Sequence, residues 1–184
     1  MNFPEISTYR LRLDEIGEDD AKALFHHFSN KEVVEFYDLE VFEQLEQAQK
    51  LIALFKQRFD DALGIRWAIR MKNSDRFIGT CGFNSWNQRM RSTVIGYDIS
   101  REFWGHGYAT EAIHGIANAA FSGHLPCGRI NRIQADTLPG NFASEAVLSK
   151  VGFKEEGLLR ESGYWKGRYH DLKCFGLIRS EYRI

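Results

Sequence analysis

The sequence predicts an α/β protein (α+β in some schemes), a mixed, strongly twisted sheet of about seven strands with helices on both faces. The order of predicted elements is β-α-α-β-β-β-α-β-α-β-β. Strands therefore cluster in the middle and at the end of the chain, a pattern typical of a sheet with antiparallel and parallel neighbours. The 184 residues fit one domain, and no linker, repeat or low-complexity tract divides them. We therefore expect a single domain over residues 1–184.

The first third of the chain predicts one strand and two helices. Apolar and basic residues alternate over residues 8–13, and this period of two predicts a strand. Residues 18–28 begin with an acidic run, which favours the positive end of a helix dipole, and continue at helical spacing. Residues 42–63 predict a longer amphipathic helix, which Gly64 would end.

The rest of the chain predicts further strands and two more helices. The helix over residues 108–121 carries apolar residues at i, i+3, i+4, i+7, i+8 and i+11, so one face should pack on a flat surface. Another helix begins near residue 139 and ends at Gly152, a natural C-terminal cap. Residues 163–168 resemble a loop between the last two strands. The predicted strands are 67–71, 77–83, 94–100, 130–135, 153–159 and 170–178.

Composition and charge argue against several classes of function. The net charge is −1, from 24 basic and 25 acidic side chains, so we expect neither nucleic acid nor an anionic membrane as a partner. The three cysteines form no Cys-x-x-Cys pair and the histidines lack carboxylates at ligand spacing, so we expect no disulfide framework and no metal. The first residues do not resemble a signal peptide, and no apolar run is long enough to span a membrane. These features predict a cytoplasmic protein.

A strand, a turn with two glycines and a helix follow one another over residues 94–112. Gly105 and Gly107 lack a Cβ, so the backbone can turn sharply and approach a ligand. The first N–H groups of a helix have no internal partners, and the helix dipole adds partial positive charge. The turn is therefore a candidate anion site. It does not complete a dinucleotide fingerprint, because Thr110 stands at the third glycine position, and no Walker pattern occurs.

The wider segment Ile-Gly-Tyr … Trp-Gly-x-Gly-Tyr-Ala-Thr-Glu-Ala resembles the acetyl-CoA-binding motif of the GNAT acetyltransferase superfamily. The resemblance is to its ribosomal-protein-alanine acetyltransferase (Rim-type) branch, and further motifs match in order along nearly the whole chain. These motifs are Thr8-Tyr9-Arg10-Leu11-Arg12-Leu13, Ile78-Gly79-Thr80-Cys81-Gly82-Phe83, Asn141-Phe142-Ala143-Ser144 followed by Val151-Gly152-Phe153, and Gly167-Arg168-Tyr169-His170-Asp171. The resemblance implies the GNAT fold, with acetyl-CoA as the co-substrate.

The resemblance also implies a path for acetyl-CoA. The pantetheine arm would lie between two splayed parallel strands and would be received by backbone groups of Ile99, Ser100 and Arg101. The side chain of Asn141 would bond the pantetheine or cap the helix that follows, and both roles can hold at once. The pyrophosphate would be held by the turn of Trp104, Gly105, His106, Gly107, Tyr108, Ala109 and Thr110.

The chemistry would require an acid and a base. By resemblance, Ser144 would protonate the departing CoA sulfur, although it can also be read as a solvent-facing helix residue. The tyrosine that many GNAT enzymes use as the acid is replaced by Leu148. The glutamate that Rim-type enzymes are thought to use as the base is replaced by Gly163, and Glu161 is the candidate substitute. The other candidates for the base are a water chain, Asp98, Glu156 and the His170-Asp171 pair.

These features predict an N-acetyltransferase that moves acetyl from acetyl-CoA to a primary amine by direct attack in a ternary complex. The acceptor would be a protein N-terminus or a small-molecule amine, and a homodimer would be typical of the branch. The alternative is a non-catalytic acyl-CoA-binding or sensor protein of the same fold, because the usual positions of the acid and the base hold Leu148 and Gly163.

Overall fold

The computed structural model describes residues 2–183. Over these residues the chain forms eight strands, five α-helices and two short 3-10 turns, Glu18–Asp20 and Arg101–Phe103. The strands are β1 (Ile6–Ser7), β2 (Leu11–Glu15), β3 (Ile65–Met71), β4 (Phe77–Asn87), β5 (Ser92–Ile99), β6 (Arg132–Thr137), β7 (Lys154–Trp165) and β8 (Arg168–Ile178). The α-helices are α1 (Ala21–Phe28), α2 (Lys31–Val34), α3 (Leu45–Asp60), α4 (Tyr108–Ser122) and α5 (Phe142–Val151).

The strands form one sheet in the order β1-β2-β3-β4-β5-β6-β8-β7. Every neighbouring pair is antiparallel except β5 and β6, which run parallel. A parallel pair needs a crossover connection, and α4 supplies it between these two strands. The predicted mixed sheet is confirmed.

Helices cover both faces of the sheet. Neighbouring residues of β3 show this, because Trp67 belongs to the larger core and Ala68 to the smaller one, as the alternation of side chains requires. The larger core contains the buried stripe of α4, including Ile113 and Ile116, together with residues of α5. The smaller core contains buried residues of α1, α2 and α3, such as Phe28. The predicted apolar stripe of α4 is therefore confirmed, and α1 to α3 lie on the opposite face from α4 and α5.

The two parallel strands separate toward their carboxyl ends. Pairing between them ends at Ile95, which lies opposite Ala135. β5 continues beside β4 to Ile99, whereas β6 continues beside β8 to Thr137. Because each strand follows its own antiparallel partner, residues 96–99 have no partner on β6. We call this opening the β5–β6 slot.

The structure differs from the sequence prediction in the sheet, where β4 extends to Asn87 rather than residue 83 and two larger changes occur. The described residues form eight strands because the short β1 precedes β2. Residues 163–168 are not a loop, since β7 extends to Trp165 and β8 begins at Arg168, which leaves only Lys166 and Gly167 in the turn. β7 is an exposed edge strand interrupted by two register shifts, so it lacks the period of two that marks a half-buried strand.

Candidate active site

The glycine turn has the conformation that the sequence predicts. Gly105 and Gly107 both have φ of +78°, in the left-handed region that residues with a Cβ disfavour. Gly107 is the N-cap of α4, and no side chain caps this helix. The first N–H groups of the helix, those of Tyr108, Ala109 and Thr110, are therefore available to an anion at the positive end of the helix dipole.

Arg10, near the start of the chain, stabilises this turn by hydrogen bonding. Its Nη1 donates to the carbonyl oxygen of His106 at 2.9 Å, and its Nε donates to Oε2 of Glu111 at 2.6 Å. Its guanidinium carbon also lies 4.4 Å from the centre of the Tyr108 ring. Burial alone would raise the pKa of Glu111, but hydrogen bonds from Thr8 and Arg10 outweigh it and lower that pKa. Sequence reasoning missed this role of Arg10, because a contact across 96 residues leaves no local signal.

The edge of β5 presents backbone groups to the β5–β6 slot. The Ser100 N–H donates to the carbonyl oxygen of Ile78 on β4 at 2.8 Å. Hydrogen-bonding direction alternates along an antiparallel strand, so the N–H and C=O of Ile99 point away from β4, toward the slot. The Ile99 carbonyl accepts a hydrogen bond from Nε1 of Trp104 at 2.6 Å, which ties the turn to the strand. The Ile99 N–H is thus a donor directed toward the slot.

The side chains of Ser100 and Arg101 contact other side chains of the protein. Arg101 Nε forms an ion pair with Glu32, and its guanidinium carbon lies 4.7 Å from the centre of the Trp104 ring. Ser100 Oγ is 2.8 Å from Nδ1 of His27. The family resemblance assigns only backbone groups of these residues to the cofactor, so that assignment stays a prediction.

Ser144 lies in the first turn of α5 and contacts β5. Asn141 caps this helix, because its Oδ1 accepts the N–H of Ser144 at 3.2 Å. The cap uses only the carbonyl oxygen, so the NH₂ group of Asn141 can still donate to a ligand. Ser144 Oγ is 2.6 Å from the hydroxyl oxygen of Tyr97. Ser144 is therefore half-buried and hydrogen-bonded rather than a solvent-facing residue.

Tyr97 is a candidate functional residue that sequence reasoning missed. Burial raises the pKa of Tyr97 to about 12, although the hydrogen bond with Ser144 acts in the opposite direction, so the hydroxyl keeps its proton at neutral pH. Leu148, at the usual tyrosine position, is fully buried in the core and has no hydroxyl. The available signal was the alternation along β5, which places Tyr97 on the same face as the apolar Ile95 and Ile99.

Glu161 lies on β7, in the interrupted part of its pairing with β8. It is exposed, its φ is +51°, and its N–H donates to Oδ1 of Asp171 at 2.8 Å. Within residues 2–183, no hydrogen bond joins Glu161 to Ser144 or Tyr97. The structure therefore does not bring the two predicted catalytic residues into direct contact, and the role of Glu161 stays a prediction.

Two further base candidates have structural partners. Glu156 forms an ion pair with Arg132, and the hydrogen bond from Arg132 lowers the pKa of Glu156. His170 is buried, and its ring stacks on Trp165 with ring centres 4.1 Å apart. His170 Nε2 is also 3.1 Å from the Trp165 carbonyl oxygen. Glu156 therefore has a structural role in an ion pair at the edge of the sheet, and His170 has one in the packing of the β7–β8 hairpin.

Asp98, also a base candidate, lies at the centre of a buried polar network. Its Oδ1 is 2.7 Å from Nε2 of His27, and its Oδ2 accepts from Nη2 of Arg66 at 2.7 Å. Thr80 donates its N–H to Oδ1 at 2.9 Å and its hydroxyl to Oδ2 at 2.6 Å, and the Tyr37 hydroxyl donates to Oδ2 at 3.2 Å. Burial alone would raise the pKa of Asp98, but His27, Arg66 and Thr80 outweigh it and hold that pKa well below its usual range. Asp98 is therefore a permanent carboxylate at neutral pH.

The network reaches a cavity through His27 and Ser100. The cavity has a volume of about 350 Å³ and is lined by residues at the end of α1, by Asn30 and Val33 at α2, and by residues 100–102 after β5. His27 and Ser100 belong to its wall, whereas Asp98 does not. Within residues 2–183, no group of three or more His, Cys, Asp or Glu side chains is placed to hold a metal ion. No helix in that same part of the chain has the length and hydropathy needed to cross a membrane.

The N-terminus of α4, which no side chain caps, lies beside the slot between the diverging parallel strands, and an uncapped helix N-terminus is a place where proteins commonly bind phosphate. The sequence profile of the family described as "Acetyltransferase (GNAT) domain" matches residues 10–154. The chain therefore belongs to the GNAT family and is an acetyltransferase. It is 37% identical to the uncharacterised N-acetyltransferase YoaA of Bacillus subtilis (strain 168), over 96% of this chain and 98% of YoaA.

Solved structures of other proteins share this fold. Mycobacterium smegmatis RimJ, solved in complex with CoA-disulfide, matches with a TM-score of 0.87 at 21% identity, over 98% of this chain and 91% of RimJ. RimL, a ribosomal L7/L12 alpha-N-protein acetyltransferase solved in complex with coenzyme A, matches with a TM-score of 0.82 at 20% identity, over 95% of this chain and 98% of RimL. The predicted GNAT fold is confirmed.

Proposed function

We propose that this acetyltransferase moves acetyl from acetyl-CoA to a primary amine by direct attack of the amine on the thioester in a ternary complex. The observation that carries the proposal is the uncapped N-terminus of α4 beside the β5–β6 slot. The pyrophosphate and the pantetheine arm are adjacent parts of CoA, and the turn and the slot are adjacent parts of this fold. The CoA complexes of RimJ and RimL support the same choice of ligand.

In this proposal, backbone groups hold most of the co-substrate. The N–H groups of residues 108–110 donate to the pyrophosphate, and Arg10 keeps the turn in place through its bond to the His106 carbonyl. Backbone groups of residues 99–101 pair with the pantetheine, and the NH₂ group of Asn141 donates to it. The Ile99 N–H donates to the thioester carbonyl and stabilises the negative charge that develops there during attack.

Ser144 supplies the proton for the departing sulfur, and Tyr97 supports it. The two hydroxyl oxygens are 2.6 Å apart, so Tyr97 can return a proton to Ser144 as Ser144 donates its own. Tyr97 suits this role because its raised pKa keeps it protonated. A thiol has a pKa near roughly 8.5, so the thiolate needs only modest help to depart.

The acceptor is a protein N-terminus or a small-molecule amine. The alpha-N-protein acetyltransferase activity in the name of RimL supports the first choice. The cavity beside α1 and α2 has a volume of about 350 Å³ and admits one residue or a small amine. Both acceptors present the same reacting group, so the chemistry is shared.

An acetylation assay tests the proposal. Wild-type protein would be incubated with acetyl-CoA and a panel of peptides with free N-termini, polyamines, amino acids and aminoglycosides, while free thiol is measured. We expect Ser144→Ala to lower kcat by about 10²-fold, the low end for acid–base catalysis, with CoA affinity by calorimetry unchanged. Ser149→Ala, an exposed serine on the same helix, is the matched control and should retain wild-type activity.

The same assay decides between the enzyme and the sensor interpretation. A protein that binds CoA but acetylates no amine in the panel would support a non-catalytic acyl-CoA-binding role. Stabilisation by NAD and not by CoA in thermal unfolding would contradict both.

A further inference from the structure

The proposed reaction has a candidate acid but lacks a glutamate at the usual position of the base, which is Gly163. We propose that Ser100, His27 and Asp98 form a proton relay, the Ser100 relay, which removes the proton from the acceptor amine at the cavity beside α1 and α2. This inference rests on the proposed function, because it requires an amine acceptor. Ser100 would contact the amine, whereas His27 and Asp98 would act through it.

The hydrogen bonds of His27 define one direction for the relay. Asp98 is ionised and can only accept, so Nε2 of His27 carries a proton and donates to Oδ1 at 2.7 Å. In the neutral ring Nδ1 is then an acceptor, and it lies 2.8 Å from Oγ of Ser100. The Ser100 hydroxyl therefore donates to His27 and leaves its oxygen lone pairs free to accept a proton from the cavity side.

The relay operates from the neutral form of His27, and the groups around the ring are paired or uncharged. Asp98 is also bonded to Arg66, and the side chains of both are at most 5% exposed, so their opposite charges already cancel. Burial raises the pKa of Tyr37 and also that of Cys81, which reaches about 12, so both stay uncharged beside the network. The charged side chains that line the cavity are paired, because Arg101 forms an ion pair with Glu32 and Glu102 forms one with Arg76. His26, which also lines the cavity, is exposed to solvent.

Alternation along β5 places the relay opposite the acid. Asp98 and Ser100 both contact His27 of α1, so they lie on the face covered by α1 to α3. Tyr97 lies on the other face and contacts Ser144 of α5. Ile99, whose N–H points toward the slot, is the last residue of β5 and lies between Asp98 and Ser100 in the chain, where successive residues of a strand are about 3.3 Å apart. An amine that enters from the cavity would approach the thioester from the relay side, and the sulfur would depart toward the acid.

The proton transfers balance. One proton of the ammonium passes to Ser100 Oγ while the Ser100 proton passes to Nδ1 of His27. The imidazolium later returns a proton to Ser100 Oγ, which releases its own proton to solvent on the cavity side. The neutral amine forms the N–C bond with the acetyl carbonyl carbon, and the C–S bond breaks. The second amine proton leaves through solvent as the amide forms, while the sulfur takes a proton from Ser144, which is restored from solvent through Tyr97.

Variants at Ser100 test the relay with a matched pair. Ser100→Thr keeps a hydroxyl, and Ser100→Val has nearly the same shape without it. With an amine that the wild type acetylates, we expect Ser100→Val and Ser100→Ala to lose about 10²-fold in kcat/KM near pH 7. Ser100→Thr should stay within a few-fold of wild type. CoA affinity should be unchanged in all three, because the backbone at residue 100 is kept. Ser100→Val and Ser100→Ala should unfold at a somewhat lower temperature but remain folded at assay temperature, since Nδ1 of His27 loses its partner.

The pH dependence separates a relay from a merely structural contact. Without the relay only amine that is already neutral reacts, and that fraction rises about tenfold per pH unit below the amine pKa. The deficits of Ser100→Val and of His27→Gln should therefore shrink by about tenfold per pH unit as the pH rises toward that pKa. His124→Gln, an exposed histidine beyond the C-terminal end of α4, is the control and should leave the profile unchanged.

Two outcomes distinguish failure of the relay from failure of the proposed function. A wild type that binds CoA but acetylates no amine overturns the proposed function, and the relay with it. A wild type that acetylates an amine overturns the relay alone if Ser100→Val matches Ser100→Thr at every pH, or if the deficit of Ser100→Val does not change with pH. Should His27→Gln fail to fold, the Ser100 pair alone decides.

Discussion

The ion pair between Asp98 and Arg66 allows a quantitative prediction about stability. The two side chains are 2.7 Å apart, and only 5% of Arg66 and 3% of Asp98 is exposed. Asp98→Asn removes the charge and leaves the Arg66 guanidinium buried without a counter-ion. Breaking a buried pair in this way costs about 3–5 kcal/mol of unfolding free energy. For a chain of 184 residues this corresponds to a fall in Tm of roughly 6–20 °C.

Urea unfolding at pH 7 measures this cost, with calorimetry for Tm. The matched control is Asp60→Asn, since Asp60 pairs with Lys56 at 3.2 Å while their side chains are 54% and 63% exposed. We expect the control to change stability by no more than about 0.5 kcal/mol. Adding Arg66→Met to Asp98→Asn should recover part of the loss, because the unpaired guanidinium is removed. A cost below about 1 kcal/mol for Asp98→Asn would refute the reasoning, because that is the range of an exposed pair.

Three further predictions concern pH, the turn and the acid. The folded-state pKa of Asp98 lies below its unfolded value of roughly 3.9. The stabilisation that ionised Asp98 provides is therefore present above about pH 4 and is lost as the pH falls. The unfolding free energies of wild type and Asp98→Asn should converge in acid. Gly107→Ala places a Cβ in the left-handed region at a cost of about 1–2 kcal/mol and should weaken CoA binding in calorimetry about tenfold, whereas Gly128→Ala, at φ of +74°, should lose stability alone. Tyr97→Phe removes the 2.6 Å contact with Ser144 and should lower kcat about tenfold with CoA affinity unchanged, and an equal loss in affinity would contradict the assignment.

The glycine turn and the helix that follows it were predictable because their signals are local. The two glycines of the turn and the stripe of α4 occur within about one strand–turn–helix unit, and each depends on backbone sterics or on helical period. The structure places Gly107 at +78° and buries the stripe, as the pattern predicts. The slot itself was expected only through the family resemblance, since the point at which β5 and β6 part depends on their different partners in the sheet.

The contacts among the candidate acid and base residues could be identified only from the tertiary structure. Tyr97 meets Ser144 across 47 residues, and His27 meets Asp98 across 71, and no periodicity in the sequence links such pairs. The β7–β8 hairpin was missed over residues 163–168 because an exposed, interrupted edge strand has no face to bury.

By itself, the sequence determined the mixed sheet and the sharp glycine turn, because these depend on short-range backbone geometry and on the period of apolar residues, whereas the family was expected from the resemblance of its ordered motifs. Only the tertiary structure decided which hydroxyl, imidazole and carboxylate groups contact one another. Such contacts depend on which elements pack side by side, and helix α1 is brought against β5 by the burial of apolar side chains that do not take part in the chemistry.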